Sequence, residues 1–309
     1  MSAPSAHPAI AGIRLVLGGN VFGMTADRDR SFEVLDAFYA AGGRMIDTAE
    51  GYSDWVPGHK GGESETVIGE WLESRGLRSD MRIHTKTNMY GKPGLSAPEP
   101  VARALDASLD RLRTDYVDLY YAHRDEAETP LDQVVAGFDA LVRAGKARSV
   151  GASNFSTERL AQARDLAARA GATPFSVLQN EYNLVERAGY EGAVQDYCVA
   201  NGVAMLPYFG LASGFLTGKY RTSEDFAKYV RGDQARAYAA KRPGLLAVLD
   251  DVVRESGATH AQVALAWLNA QPGIGAPIAS ATSAEQVREL CGAATLDLTA
   301  EQLARLSGA

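Results

Sequence analysis

Four side chains capable of acid–base chemistry stand at the ends of short apolar runs in this chain. Asp47 closes MID within the stretch MIDTAEGY, which carries a phenol, Tyr52, five residues on. Lys86 ends RIHTK, and His123 ends DLYYAH. Carboxylate, phenol, ammonium and imidazole are the groups that move protons or hold charge in a reaction. Each has an ordinary alternative. Asp47 and Thr48 could cap a following helix. Tyr52 could be a surface turn residue, Lys86 a lysine snorkelling from a strand end, and His123 a core histidine. A lone reactive Lys86 would suit Schiff-base chemistry, but that needs a desolvated lysine of lowered pKa. An acid nearby opposes it.

The position of these residues decides between the readings. RMID, RIHTK, VDLYYAH, ARSVGAS, FSVLQNEY and VAMLPY read as strands buried on both faces, and IRLVLGG and IGAPIAS bring the number to eight. Between them SFEVLDAFYAAG, SETVIGEWLESRG, PEPVARALDASLDRL, LDQVVAGFDALVRAG, TERLAQARDLAARAG and GAVQDYCVANG carry apolar residues at helical spacing, several ending in a glycine cap. Such alternation predicts a parallel sheet with right-handed crossovers. Eight βα units predict a closed α/β barrel, the (β/α)8 TIM fold, with a doubly wound open sheet as the alternative. A barrel gathers every strand's C-terminal end on one face. Ser153 and Asn154, Gln179 and Asn180, Tyr208 and Ser280 then join the first four there. Polar groups at such positions are costly unless they share a polar pocket.

The chain has 309 residues, 46% of them hydrophobic, and a formal charge of −7. It can bury a large core, and its acidity argues against nucleic-acid or anionic-membrane partners. No composition break divides it. Residues 1–12 are expected as a flexible tail and 13–309 as one domain. Residues 208–243 read as a long loop after the seventh strand with a polar insertion. The N-terminus shows no signal peptide pattern, and VAMLPYFGLASGFLTG is broken by Pro207 and three glycines. A cytoplasmic location is the expectation. Cys198 and Cys291 have no paired spacing and read as buried free thiols. The five histidines form no H-x-H or H-x-x-x-H pair, so no metal site is expected. GFLTGKY is not a P-loop, and GIGAPIAS lacks the third glycine of a dinucleotide fingerprint.

In this order, MIDTAEGY, YYAHRDE, GASNFS, QNEYN, ASGFLTGKY and AEQVREL resemble the aldo-keto reductase superfamily over nearly the whole chain, from about Ile13 to Gly292. The resemblance implies a single barrel that binds NADPH, or NADH as the alternative, and reversibly reduces an aldehyde or ketone to an alcohol. It also implies a catalytic set of Asp47, Tyr52, Lys86 and His123. Tyr52 would give the proton, Lys86 would lower the phenol's pKa, Asp47 would hold Lys86, and His123 would orient the carbonyl. Some proteins resembling this family act instead as cofactor-binding regulatory subunits with little turnover; measured turnover separates the two.

The same resemblance assigns cofactor contacts. These are Gly19 and Asn20 after the first strand; Ser153, Asn154 and Gln179 toward a carboxamide; and Tyr208 as a stacking ring. Phe209, Gly210, Leu211, Ser213, Gly218 and Lys219 belong to the phosphate-side loop, and Ser280, Thr282 and Gln286 follow the eighth strand. Three departures stand out. Thr282 replaces a common arginine or lysine, with Arg288 as a substitute charge. Leu290 replaces an asparagine. Phe209-Gly210 replaces Ser-Pro. Trp55, Tyr90 and Arg124 are expected around the substrate pocket, with Val56, His59, Met89, Phe209 and Phe215 beside them. Arg124 and Asp125 could instead pair with each other.

Overall fold

The computed structural model describes residues 9–309. Its strands are β1 (Val16–Gly18), β2 (Met45–Asp47), β3 (Arg82–Thr87), β4 (Leu119–Ala122), β5 (Val150–Ser153), β6 (Val177–Gln179), β7 (Ala204–Met205) and β8 (Ile278–Ala279). All pair in parallel, in the order β7-β6-β5-β4-β3-β2-β1-β8. The sheet closes where the segment before β8 meets β7: Gly275 N–H donates to Met205 O at 2.8 Å, and Ile278 N–H to Pro207 O at 2.9 Å. This is the closed (β/α)8 barrel that the alternation predicts.

The helices are α1 (Arg28–Ala40), α2 (Glu63–Arg75), α3 (Pro98–Leu112), α4 (Leu131–Arg143), α5 (Thr157–Ala170) and α6 (Ala193–Ala200), then α7 (Ser223–Lys228), α8 (Gly232–Lys241), α9 (Leu245–Ser256), α10 (His260–Asn269), α11 (Ala284–Cys291) and α12 (Ala300–Gly308). The first six match the expected helical runs. Residues 208–243, expected as a polar loop, instead fold into a 3-10 turn over Ala212–Thr217 followed by α7 and α8. Cys198 is buried on α6, whereas Cys291 on α11 is only half-buried. No helix of the described residues is long and apolar enough to cross a membrane.

Strand alternation explains the site. Side chains at i and i+2 share a face. Met45, Leu119, Tyr121, Val177 and Ile278 form the barrel interior, whereas Ile46, Ile83, Tyr120, Val150 and Leu178 pack outward under the helices. Two residues past each inward apolar position stand Asp47, His123 and Gln179. Lys86 pairs in register with Tyr121, and Ser153 with Gln179. The polar groups are therefore the topmost inward layer of the barrel. Gly151 makes room below them, because a Cβ there would lie 2.7 Å from the Tyr121 ring.

The other end of the barrel is plugged. Residues 1–8 of the expected tail lie outside the described residues. Residues 9–12 correct that expectation: Ala9 and Ile10 are buried against Val16, Met45 and Leu206, and Arg82 Nη1 donates to Ala11 O at 2.8 Å. An isoleucine gains more from the apolar barrel floor than from water.

Candidate active site

Lys86 is the hub. Its Nζ, fully buried, donates to Asp47 Oδ2 at 2.5 Å, to Thr48 O at 2.7 Å and to the Tyr52 hydroxyl at 3.0 Å. All three donors of the ammonium are thus used. The second carboxylate oxygen of Asp47 accepts from Gln179 Nε2 at 3.0 Å. Asp47 caps no helix: α2 starts only at Glu63, after Gly62, and Thr48 Oγ1 shares a hydrogen bond with Ser64 Oγ. Thr48 acts through its carbonyl, a contact that residue types alone do not announce. The Tyr52 loop is pinned to β3 behind the site, where Glu50 Oε1 accepts from Thr87 Oγ1 at 2.7 Å and Asn88 N–H at 2.8 Å.

The electrostatics differ from the expectation in one respect. Burial raises the Tyr52 phenol above its ordinary pKa, and the Lys86 charge opposes that rise without reversing it. Lys86 therefore limits the cost of phenolate rather than bringing the phenol below its usual range. For Lys86 itself burial works against the charge, but Asp47 and Tyr52 outweigh it and leave the ammonium raised. A lysine held charged cannot serve as a Schiff-base nucleophile.

His123 stands edge-on to Tyr52, with ring centres 6.0 Å apart. Burial, then Lys86 and Arg124, push its imidazole well below the usual range, so it is neutral at pH 7. An unfolded chain would carry this histidine at its ordinary value near 6.5. As pH falls below that value, the unfolded state takes up a proton that the folded state refuses, and stability falls. The expected result is a steeper loss of urea midpoint between about pH 7.5 and 5.5 for the native protein than for His123→Gln. Equal slopes would remove this assignment.

The remaining strand-end residues interlock. Asn154, at φ +58°, donates from Nδ2 to His123 O at 2.9 Å and Ser153 Oγ at 3.1 Å. Its Oδ1 accepts from the Tyr208 hydroxyl at 2.7 Å, and its N–H donates to Asn180 Oδ1 at 2.7 Å. The Tyr208 ring is thereby fixed at the mouth, half-buried. On the opposite side Ser280 Oγ donates to Asn20 Oδ1 at 2.5 Å, and Gly19 N–H to Asp47 O at 2.8 Å. Gln286 Oε1 accepts from Thr282 N–H at 2.9 Å.

After β7 the backbone turns through left-handed conformations at Phe209 (φ +53°) and then at Ala212, Ser213 and Gly214 in succession (φ +48°, +55° and +90°). Consecutive unusual residues of this kind are held by their surroundings and cluster at functional sites. Lys219 arches over the turn: a Cβ on Gly214 would lie 3.4 Å from its Nζ. Neither Lys219 nor its neighbour Arg231 forms an ion pair among the described residues. A turned backbone beneath two uncompensated cations fits an anion such as a phosphate. Gly210 has a different reason to be small, since a Cβ would press on Leu268 and Leu265 at 3.1 and 3.3 Å. Gly218 ends the 3-10 turn at φ +76°, against His260.

Trp55, Tyr90 and Phe209, expected around the substrate pocket, are exposed. Phe215 corrects the expectation: it is buried in the outer core. Arg124 and Asp125 do not pair. Asp125 takes Arg159 in a two-pronged bridge at 2.8 and 2.9 Å, and Arg124 Nε donates to Met89 O at 3.2 Å. The sequence reading also missed Glu181 and Tyr238. The Tyr238 hydroxyl donates to Glu181 Oε1 at 2.6 Å and draws α8 toward the mouth, beside a cleft of about 310 Å³ shared with Phe209 and Ser213.

Fold and site together define a barrel enzyme with a charged, partly buried mouth beside a left-handed turn crossed by Lys219. The model of the Aldo/keto reductase family matches residues 14–309. The chain belongs to that family and is an NAD(P)-dependent oxidoreductase. It is 31% identical to the uncharacterized oxidoreductase YrpG of Bacillus subtilis, over 95% of this chain and 91% of that protein. It is equally 31% identical to an aryl-alcohol dehydrogenase [NADP(+)] of Phanerodontia chrysosporium, over 91% and 76%. Norsolorinic acid reductase stcV of Emericella nidulans is 30% identical, over 95% and 78%.

Proposed function

We propose that this protein reduces aldehydes or ketones to alcohols with NADPH, reversibly, with Tyr52 as the proton donor. The observation that carries the proposal is the Lys86 hub, which ties a buried carboxylate to a phenol at the open end of the barrel. NADPH, when bound, supplies the hydride. The residues of the chain manage the charge and the proton. A carbonyl oxygen beside Tyr52 gains negative charge as hydride arrives, and the Tyr52 hydroxyl donates its proton to it. The phenolate left behind faces the Lys86 ammonium at 3.0 Å. Asp47 and Gln179 keep that ammonium fixed. Neutral His123 offers a hydrogen bond to the same oxygen without competing for the proton.

Ser153, Asn154, Gln179 and Tyr208 suit the nicotinamide end of the cofactor, and the Phe209–Gly214 turn with Lys219 suits its phosphates. Asn20, Ser280, Thr282 and Gln286 belong to the same cofactor side, with Arg288 exposed on α11 as the charge near the eighth strand. Support for NADPH comes also from the relatives, one of which carries NADP(+) in its name. The aryl alcohol in the name of one relative agrees with the aromatic rim of Trp55, Tyr90 and Phe209. Titration of each cofactor against the protein's tryptophan fluorescence is expected to give tighter binding of NADPH than of NADH. The reverse order would assign NAD instead.

A further inference from the structure

On one side of the mouth the acids take hydrogen bonds from within the chain, and one arginine, Arg124, forms no ion pair among the described residues. Asp54 accepts from the Tyr90 hydroxyl at 2.5 Å, Glu50 from Thr87 and Asn88, and Asp125 is taken by Arg159. Arg124 follows His123 directly, and its side chain lies along the loop after β3: Nε reaches Met89 O, and a Cβ on Gly91 would sit 3.0 Å from its Cδ. The guanidinium is exposed, with no ion pair among the described residues. Met89 in turn packs on Gly51, where a Cβ would lie 3.2 Å from its side chain, so Arg124 stands beside the loop that carries Tyr52. Beside it, Lys60 and Lys92 line a cleft of about 290 Å³ together with Tyr90, and there Glu50 and Asp54 offset their charge. A protein of formal charge −7 thus keeps an arginine without an ion pair at this edge of its site.

We propose that the preferred substrate is a carbonyl compound bearing a carboxylate, and that Arg124 recognises that carboxylate while Tyr52 and His123 face the carbonyl. A guanidinium presents a planar fork that matches a carboxylate. The exposed rings of Trp55 and Tyr90 supply aromatic surface for a ring-bearing substrate. This inference rests on the carbonyl-reductase reading and adds the substrate's charge to it.

The test uses two aldehydes of nearly equal shape, 4-formylbenzoate and 4-formylbenzamide, with the full-length protein and NADPH. The ratio of their kcat/KM values is expected to favour the carboxylate by about ten- to hundredfold, the weight of a hydrogen bond to a charged group. Added salt should shrink the ratio. Arg124→Met should bring it to about unity through KM, and Arg124→Lys should restore part of it. A native ratio near one, or a ratio unchanged in Arg124→Met, overturns the proposal. If neither aldehyde turns over, the carbonyl-reductase reading fails for these substrates. Calorimetric binding of the two compounds to native protein and Arg124→Met then decides separately: selective binding of the carboxylate that Arg124→Met abolishes supports the anion site, and equal binding overturns it.

Discussion

Tyr52→Phe is expected to lose on the order of 10²–10⁴ in turnover, the usual weight of a positioned general acid. The substitution removes one hydroxyl and keeps the ring. His123 still meets that ring edge-on, and the loop still hangs from Glu50. Lys86 keeps two of its three partners, Asp47 and the Thr48 carbonyl. Folding stability should therefore change little, and cofactor affinity should hardly move, because the hydroxyl faces the ammonium rather than the Phe209–Gly214 turn. Steady-state kinetics with a fluorescence titration on the same preparation separates these outcomes. A Tyr52→Phe protein that turns over at the native rate would remove the phenol from the reaction.

Lys86→Met carries the second large effect, and it falls on stability as well as rate. The methionine fills much of the lysine's volume but leaves the Asp47 carboxylate buried with Gln179 as its one remaining hydrogen-bond partner among the described residues. Breaking a buried pair from one side costs about 3–5 kcal/mol, because the orphaned charge stays in a poorly solvated place. Urea midpoints should fall accordingly. Adding Asp47→Asn should return part of that loss, since a neutral amide is cheaper to bury than a lone carboxylate. Turnover should not return, because the phenolate still lacks its cation. Stability losses that simply add in the double variant would show that the two side chains are not coupled.

The strand ends were legible because barrel chemistry leaves a pattern. β2, β5 and β6 are free of charged and amide side chains until their last residues, where Asp47, Ser153 and Gln179 appear, and β3, more polar with His84 and Thr85 within it, carries Lys86 near its end. The bonds among them followed from closure of the sheet, since Gln179 reaches Asp47 from 132 residues away. What stayed hidden has physical causes. α7 buries no residue and α8 only Gly232 and Ala235, so residues 208–243 carry no apolar stripe to mark helices. α10 is buried almost all round and likewise lacks a stripe. α9 did show one, at Leu245, Leu249 and Val252, though the expected elements do not include it. The partner of Asp125 lies 34 residues on, at Arg159, where adjacency in sequence gives no guidance. The Tyr52 phenol was misjudged because a nearby cation can be inferred from residue types, whereas the depth of burial that opposes it cannot.

The central claim is that the Tyr52 hydroxyl, held by Lys86 and Asp47, delivers the proton as the carbonyl is reduced. Its most direct measurement is single-turnover oxidation of NADPH by a saturating aldehyde, run in H2O and in D2O, for the native enzyme and for Tyr52→Phe. The account predicts a solvent isotope effect on the native reaction that disappears in the variant, together with the rate loss. A variant that retained both the native rate and the native solvent isotope effect would contradict it.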